Sequence, residues 1–204
     1  MIRSRIYDTL VMELTARWYA RALERMPEGA RVLDVGIGTA GALAANAATV
    51  RTRDLHITGI DIDADYVARA RKRVREHPAL AERCEVYCES VHKHRGGPYD
   101  VIYFSASFML LPEPVQALRH CRELLAPRAQ FLFTQTIQRR QSRWMETLKP
   151  ILKWFTTIDF GEVTYEDSFR DRLAAAGLTV VELSVLQHHG SRDSCLAVAV
   201  PSGG

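Results

Sequence analysis

Gly36, Gly38 and Gly41 stand at G-x-G-x-x-G spacing directly after the run Val32-Leu33-Asp34-Val35, and Asp61 closes a second strand-like run that begins near Ile57. Glycines in such a turn let the backbone reverse sharply and let a ligand approach where a Cβ would block it. The alanine-rich helix that should follow presents unpaired N–H groups at its start to a polar ligand. An acid at the end of the next strand, at this spacing, is the usual partner of a ribose diol. The pattern therefore points to a nucleoside-containing ligand. The glycine spacing alone also fits a nicotinamide dinucleotide. Asp34 argues against that reading, because a carboxylate two residues before the turn repels a pyrophosphate. A ligand with a cationic end suits it.

Three segments, V-L-D-V-G-I-G-T at 32–39, G-I-D-I-D at 59–63 and Y-D-V-I-Y-F at 99–104, resemble in order and spacing the class I S-adenosylmethionine-dependent methyltransferases. The likeness extends over roughly residues 30–200. S-adenosylmethionine carries adenosine, a sulfonium and an ammonium group but no phosphate, which agrees with Asp34. The resemblance implies cofactor contacts from Asp34, Gly36, Gly38, Thr39, Asp61, Ile62, Glu89, Ser90 and Ser105, with Asp61 on the ribose hydroxyls and Glu89 on the adenine amino group. It implies an α/β fold: a single Rossmann-like, doubly wound sheet of about seven strands, mostly parallel with an antiparallel last strand, and helices on both faces. The implied activity is methyl transfer to a small-molecule acceptor at nitrogen, oxygen or carbon. A silent methyltransferase-like scaffold subunit and a nicotinamide-dependent oxidoreductase are the alternatives. After the fourth strand Ser105–Phe108 replaces the N/D-P-P-Y/F tetrapeptide, which points away from DNA and from many RNA or protein-glutamine acceptors.

Methyl transfer is an in-line displacement in which the cofactor brings the reactive group, so the protein mainly positions the reactants and keeps the site dry. A base is not obligatory. Tyr7, His188 and His189 are the candidates, a histidine as proton acceptor near neutral pH and Tyr7 as an orienting group. His92 and His94 read as surface histidines, and no metal-ligand spacing occurs. Two segments should close the acceptor pocket. One is an N-terminal helical lid over 1–28, the other an insertion over 138–162 whose Trp144, Leu148, Ile151, Leu152 and Phe155 share a helical face. Arg139, Arg140 and Arg143 read as a solvated cluster.

The remaining elements follow from periodicity. Ile6, Leu10, Leu14 and Trp18 predict a helix over 4–26. Strands are expected near 31–35, 55–60, 84–88, 100–105 and 129–137. A helix should run from the glycine turn to about Ala48, a second over 64–76 with a solvated arginine face, and a third from Pro112–Pro114. Thr164 and Asp167 resemble a capping box opening a helix that ends at Gly177. Runs at 178–186 and 194–200 are too close for a parallel crossover and must pair antiparallel or not be neighbours. A length of 204 residues with 47% apolar and 25% charged residues suits one domain, 1–204. The net charge of +3 is too small to imply a nucleic-acid partner, and no apolar run spans a membrane. Cys84, Cys88, Cys121 and Cys195 read as buried reduced thiols, which implies a cytoplasmic address.

Overall fold

A computed structural model describes residues 2–138, 165–190 and 192–203; the side chains of residues 2–13 and of His189 lie outside that description. The elements are α1 (Ile2–Arg25), β1 (Arg31–Val35), α2 (Gly41–Ala45), α3 (Ala47–Thr52), β2 (His56–Asp61), α4 (Ala64–Glu76), α5 (Pro78–Ala81), β3 (Cys84–Cys88), β4 (Tyr99–Ser105), a 3₁₀ turn (Phe108–Leu110), α6 (Pro114–Glu123), β5 (Leu125–Gln138), α7 (Glu166–Ala175), β6 (Leu178–His189) and β7 (Arg192–Pro201).

The strands form one seven-stranded sheet in the order β3-β2-β1-β4-β5-β7-β6. β1 pairs in parallel with β2 and β4, β2 with β3, and β4 with β5. Only β7 is antiparallel, inserted between β5 and β6. The short gap between the last two runs thus resolves as a hairpin. The strand order reverses between β1 and β4, and the crevice at the carboxyl ends beside such a reversal is where open α/β sheets bind ligands.

Alternation along the strands sorts the core into two layers. Val32, Ile57, Val101, Tyr103, Leu132 and Val198 meet α1 to α5 on one face. Leu33, Val35, Ile102, Phe104, Phe131 and Phe133 meet α6 and α7 on the other. Strands covered on both faces carry the near-continuous apolar runs that the sequence displays. The second half of α1 is a packed core element, with Trp18, Tyr19, Ala22, Leu23 and Met26 buried.

Several local expectations are corrected. The helix after the glycine turn breaks at Asn46, whose Nδ2 donates to the Ala42 and Ala16 carbonyls at 2.8 and 2.9 Å. One of those acceptors belongs to α1, so the break is a tertiary contact. α7 begins at Glu166 with Tyr165 at its N-cap and no side-chain cap, rather than on a Thr164–Asp167 box. Cys88 is exposed, while Cys84, Cys121 and Cys195 are buried. The insertion beyond Gln138, with Trp144, Leu148, Ile151, Leu152, Phe155 and the Arg139, Arg140 and Arg143 cluster, lies outside the described residues.

Candidate cofactor and acceptor site

β1 ends at Val35, and the chain then folds back over the end of β2. Gly36 and Ile37 both donate their backbone N–H to the Ile60 carbonyl, at 2.8 and 3.2 Å. Gly36 has φ +78°, and a Cβ there would meet the Ser107 Cβ at 2.6 Å. Only glycine fits, because both the dihedral and the space exclude a side chain. Gly38 has φ +58°, but a Cβ there would meet nothing within 4 Å. The turn is therefore packed from below at Gly36 and open above at Gly38.

Asp61 links the turn to β2. One carboxylate oxygen accepts from the Gly38 N–H and the other from the Asp63 N–H, both at 2.9 Å. Each oxygen has a second lone pair, so the carboxylate can still accept from a diol. Ile62, the next residue, is 76% exposed, an apolar surface beside the turn. Asp63 caps α4 by accepting from the Asp65 and Tyr66 amides. The arginine face of α4 is only partly solvated. Arg73 reaches back to the Thr39 carbonyl, and Arg71 Nε donates to the Val86 carbonyl at 2.8 Å. Nothing in the periodicity of α4 marks Arg73 as a clamp on the glycine turn.

Asp34 is 1% exposed and lies on the α1 face. The Tyr19 hydroxyl donates to its Oδ2 at 2.7 Å, while Oδ1 has no partner. Burial pushes the Asp34 carboxyl up to about 7; the Tyr19 hydrogen bond opposes this and the Asp61 charge adds to it. Tyr19 packs edge-on against Tyr103, whose hydroxyl meets Thr134 Oγ1 at 2.7 Å. A cation above Asp34 would be stabilised by its carboxylate form and would relieve the unpartnered oxygen.

β3 ends beside β2, with the Glu89 N–H donating to the Asp61 carbonyl at 2.9 Å. Glu89 Oε1 lies 2.7 Å from His94 Nδ1, and His94 Nε2 lies 2.7 Å from the Tyr99 hydroxyl. His94 is thus buried between two partners, against the expectation of a surface histidine. Ser90 opens the turn that leads there, its carbonyl accepting from the Lys93 and His94 amides. Ser105 ends β4 and pairs with Thr134. The loop beyond it is pinned: Ser107 Oγ donates to the Val35 carbonyl, and Phe108 packs edge-on against Phe104, Phe133 and Phe169.

Other elements carry Tyr7, His188 and His189. Tyr7 is in α1, with its side chain outside the described residues. His188 and His189 sit at the tip of the β6–β7 hairpin, at the carboxyl end of the sheet. His188 Nδ1 lies 2.8 Å from Asp193 Oδ1. β6 is three strands from β4, about 14 Å at the usual strand spacing. Between α7 and the hairpin a cleft of about 410 Å³ is lined by residues including Ile137, Gln138, Tyr165, Val185, Asp193 and Cys195. No group of His, Cys, Asp and Glu with metal-holding geometry occurs among the described residues. No helix among them is long and apolar enough to cross a membrane.

Two findings on the chain fit a nucleoside with a cationic tail: the unpartnered buried Asp34 oxygen, and the open space above Gly38 beside the Asp61 carboxylate. Residues 33–131 match the family model described as a methyltransferase domain. No curated protein matches the sequence. Among solved structures, the [4+2]-cyclase SpnF is similar at 19% identity and a TM-score of 0.71, over 95% of this chain and 81% of that one. The magnesium protoporphyrin IX methyltransferase of Synechocystis PCC 6803, solved with S-adenosylhomocysteine, is similar at 18% identity and TM-score 0.65, over 97% and 85%. The O-methyltransferase NcsB1 from neocarzinostatin biosynthesis, in complex with S-adenosyl-L-homocysteine and 1,4-dihydroxy-2-naphthoic acid, is similar at 19% identity and TM-score 0.71; the match covers 98% of this chain but 58% of that one. At these identities the structural likeness establishes the fold, and the family match over residues 33–131 identifies a methyltransferase domain within the chain.

Proposed function

We propose that the protein transfers the methyl group of S-adenosylmethionine to a small molecule bound over the carboxyl ends of β4 and β5 and the facing start of β7. The observation that carries this is the pairing of an open glycine turn with a cleft on the same edge of the sheet, of a volume suited to a small ligand. The complex of the O-methyltransferase NcsB1 with S-adenosyl-L-homocysteine and 1,4-dihydroxy-2-naphthoic acid supports a small acceptor on this fold.

In this reading Asp61 accepts from the ribose hydroxyls while keeping Gly38 in place. Ile62 covers one face of the adenine. Glu89 accepts from the adenine amino group, its carboxylate held by His94. Ser90 and Thr39 border the nucleoside through the turns they occupy, and Ser105 borders the methionine part. Asp34 faces the cationic tail. Bound S-adenosylmethionine supplies an electrophilic methyl group on a positively charged sulfur. The chain's contribution is to hold the acceptor in line and exclude water, which in favourable cases lowers a barrier by about 7–11 kcal/mol.

We assign no obligatory side-chain base. The distance of the hairpin from β4 makes His188, and His189 beside it, groups that orient the far part of the acceptor, and Tyr7 an orienting group of the α1 lid. The N-terminal helix and the segment 138–162 are proposed covers of that pocket.

The test is an incubation with isotopically labelled methyl donor and a whole-cell extract, followed by separation by size. Label should appear in the small-molecule fraction. Label in macromolecules, removed by nuclease or protease, contradicts the proposal.

A further inference from the structure

The connection from β3 to β4 crosses β2 and β1 without a helix, although a parallel crossover is usually helical. Val91 and Tyr99 bury in the same layer as Leu33, Val35 and Ile60, and a polar chain fastens the rest. His94 is 4% exposed, and both of its ring nitrogens are engaged. Nδ1 lies 2.7 Å from Glu89 Oε1, and Nε2 lies 2.7 Å from the Tyr99 hydroxyl. The His94 carbonyl accepts from His120 Nε2 of α6 at 2.8 Å and from Arg95 Nη1 at 3.0 Å, so the backbone under the ring is anchored too. A Cβ on Gly96 would strike the Tyr99 hydroxyl and His94 Nε2; glycine leaves the space in which the two meet. Glu89 is placed differently. Its side chain is 32% exposed, and among the described residues only its Oε1 has a hydrogen-bond partner.

We infer that His94 and Tyr99 are positioning residues for the adenine amino group: Tyr99 fixes the tautomer of His94, and His94 fixes which Glu89 oxygen faces the ligand. This rests on the role proposed for Glu89 and adds the two side chains that orient it. An ionised carboxylate only accepts hydrogen bonds. His94 Nδ1 must therefore carry the hydrogen that it shares with Glu89. In the neutral ring Nε2 is then bare and takes the hydrogen of the Tyr99 hydroxyl. Burial pushes that hydroxyl up from its ordinary value, opposed by Thr58 and the Arg31 guanidinium. Tyr99 thus keeps its proton and serves as the donor. The chain from Tyr99 to Glu89 runs in one direction, with each donor matched to an acceptor. It occupies Oε1 and leaves Oε2 as an acceptor just past the end of β3. Such an oxygen suits an amino group and repels a carbonyl. Without the ring the Glu89 side chain would rotate freely, and binding would have to order it. Neither His94 nor Tyr99 touches the ligand; both act through Glu89.

The experiment compares the parent with His94→Leu, His94→Asn, Tyr99→Phe, Glu89→Ala and the double variant His94→Leu with Glu89→Ala. Calorimetry reads the affinity of each for S-adenosylhomocysteine and for S-inosylhomocysteine, in which a carbonyl replaces the amino group. His94→Leu should weaken S-adenosylhomocysteine binding about three- to tenfold, the cost of ordering one free side chain. Tyr99→Phe should weaken it less. His94→Asn keeps a donor near the place of Nδ1 and should recover most of the loss. None of the three should alter affinity for S-inosylhomocysteine. In the Glu89→Ala background His94→Leu should have no further effect, because its route to the ligand is gone. The inference is overturned by parent-like S-adenosylhomocysteine binding in His94→Leu, by equal losses for both ligands, or by losses that add in the double variant. Should His94→Leu not fold, the parent decides. Its long-range proton–nitrogen spectrum above neutral pH should show a hydrogen on His94 Nδ1 and none on Nε2, and a hydrogen on Nε2 overturns the assignment. Parent-like binding in Glu89→Ala removes the adenine role on which the inference rests. A parent that binds neither ligand contradicts the proposed function itself, and the positioning roles fall with it.

Discussion

The Gly38 amide donates to the Asp61 carboxylate at 2.9 Å, joining the glycine turn after β1 to the end of β2. The two residues are 23 positions apart in the chain and meet at the ends of neighbouring strands. The same carboxylate steadies its own loop through Asp63 N–H. The acid thus shapes the turn and remains open to a diol.

Asp61→Ala should weaken S-adenosylhomocysteine binding by roughly one to two decades, since hydrogen bonds to a charged group contribute about 1.5–3 kcal/mol. Asp61 is at a strand end and only half-buried, so the circular dichroism spectrum should not change. Parent affinity in a folded Asp61→Ala protein, measured by calorimetry, would show that the carboxylate does not touch the ribose.

Glu89 and His94 offer a test of adenine recognition. If Glu89 accepts from the amino group, Glu89→Ala should lower affinity for S-adenosylhomocysteine about tenfold, the size of one such hydrogen bond. It should leave affinity for S-inosylhomocysteine, in which a carbonyl replaces the amino group, nearly unchanged. Equal losses for both ligands would mean that Glu89 acts only through the fold of its loop.

Asp34 makes the stability of the unliganded protein depend on pH. Its carboxyl is held at about 7 in the folded chain, against about 3.9 when unfolded. Between those values the folded protein keeps a proton that the unfolded chain has released. Stability from this group is therefore complete below about pH 4 and is lost as pH rises through about 7. The slope is at most about 1.4 kcal/mol per pH unit. Urea midpoints of the parent should fall over that range, and those of Asp34→Asn should fall less. A cationic ligand favours the carboxylate, so S-adenosylhomocysteine binding at pH 6.5 should release protons, seen as a calorimetric heat that changes with the ionisation enthalpy of the buffer. Identical pH slopes in parent and Asp34→Asn would remove Asp34 as the source.

His188→Gln should leave the pH profile of the saturated reaction unchanged and act through KM, because its strand lies far from the end of β4. A lost limb of that profile near pH 6–7 would instead identify His188 as a base.

Much of this was legible in the sequence because it depends on local grammar. The glycine turn, Asp61 at a strand end and the antiparallel close of the sheet each follow from spacing within a few residues. Other features depend on partners distant in the chain. Asn46 breaks a helix by donating to Ala16 of α1. Arg73 reads as one of a solvated row but reaches the Thr39 carbonyl. His94 is buried only because Glu89 and Tyr99 flank it. The buried, unpartnered amide of Gln135 leaves no trace in periodicity, since one polar residue in a strand looks the same whether or not its partner is present. The N-terminal helix shows the same boundary: the periodicity of α1 predicts the helix, while the burial of Tyr19 and Leu23 depends on strands far along the chain.

The central claim is that the cradle formed by Gly36, Gly38, Asp34 and Asp61 accepts adenosine with a cationic tail and rejects a pyrophosphate. Calorimetric titration of the protein with S-adenosylhomocysteine and, separately, with oxidised nicotinamide adenine dinucleotide tests it most directly. Saturable binding of S-adenosylhomocysteine is expected, with no measurable heat of binding from the dinucleotide at the same concentrations. Tighter binding of the dinucleotide would contradict it.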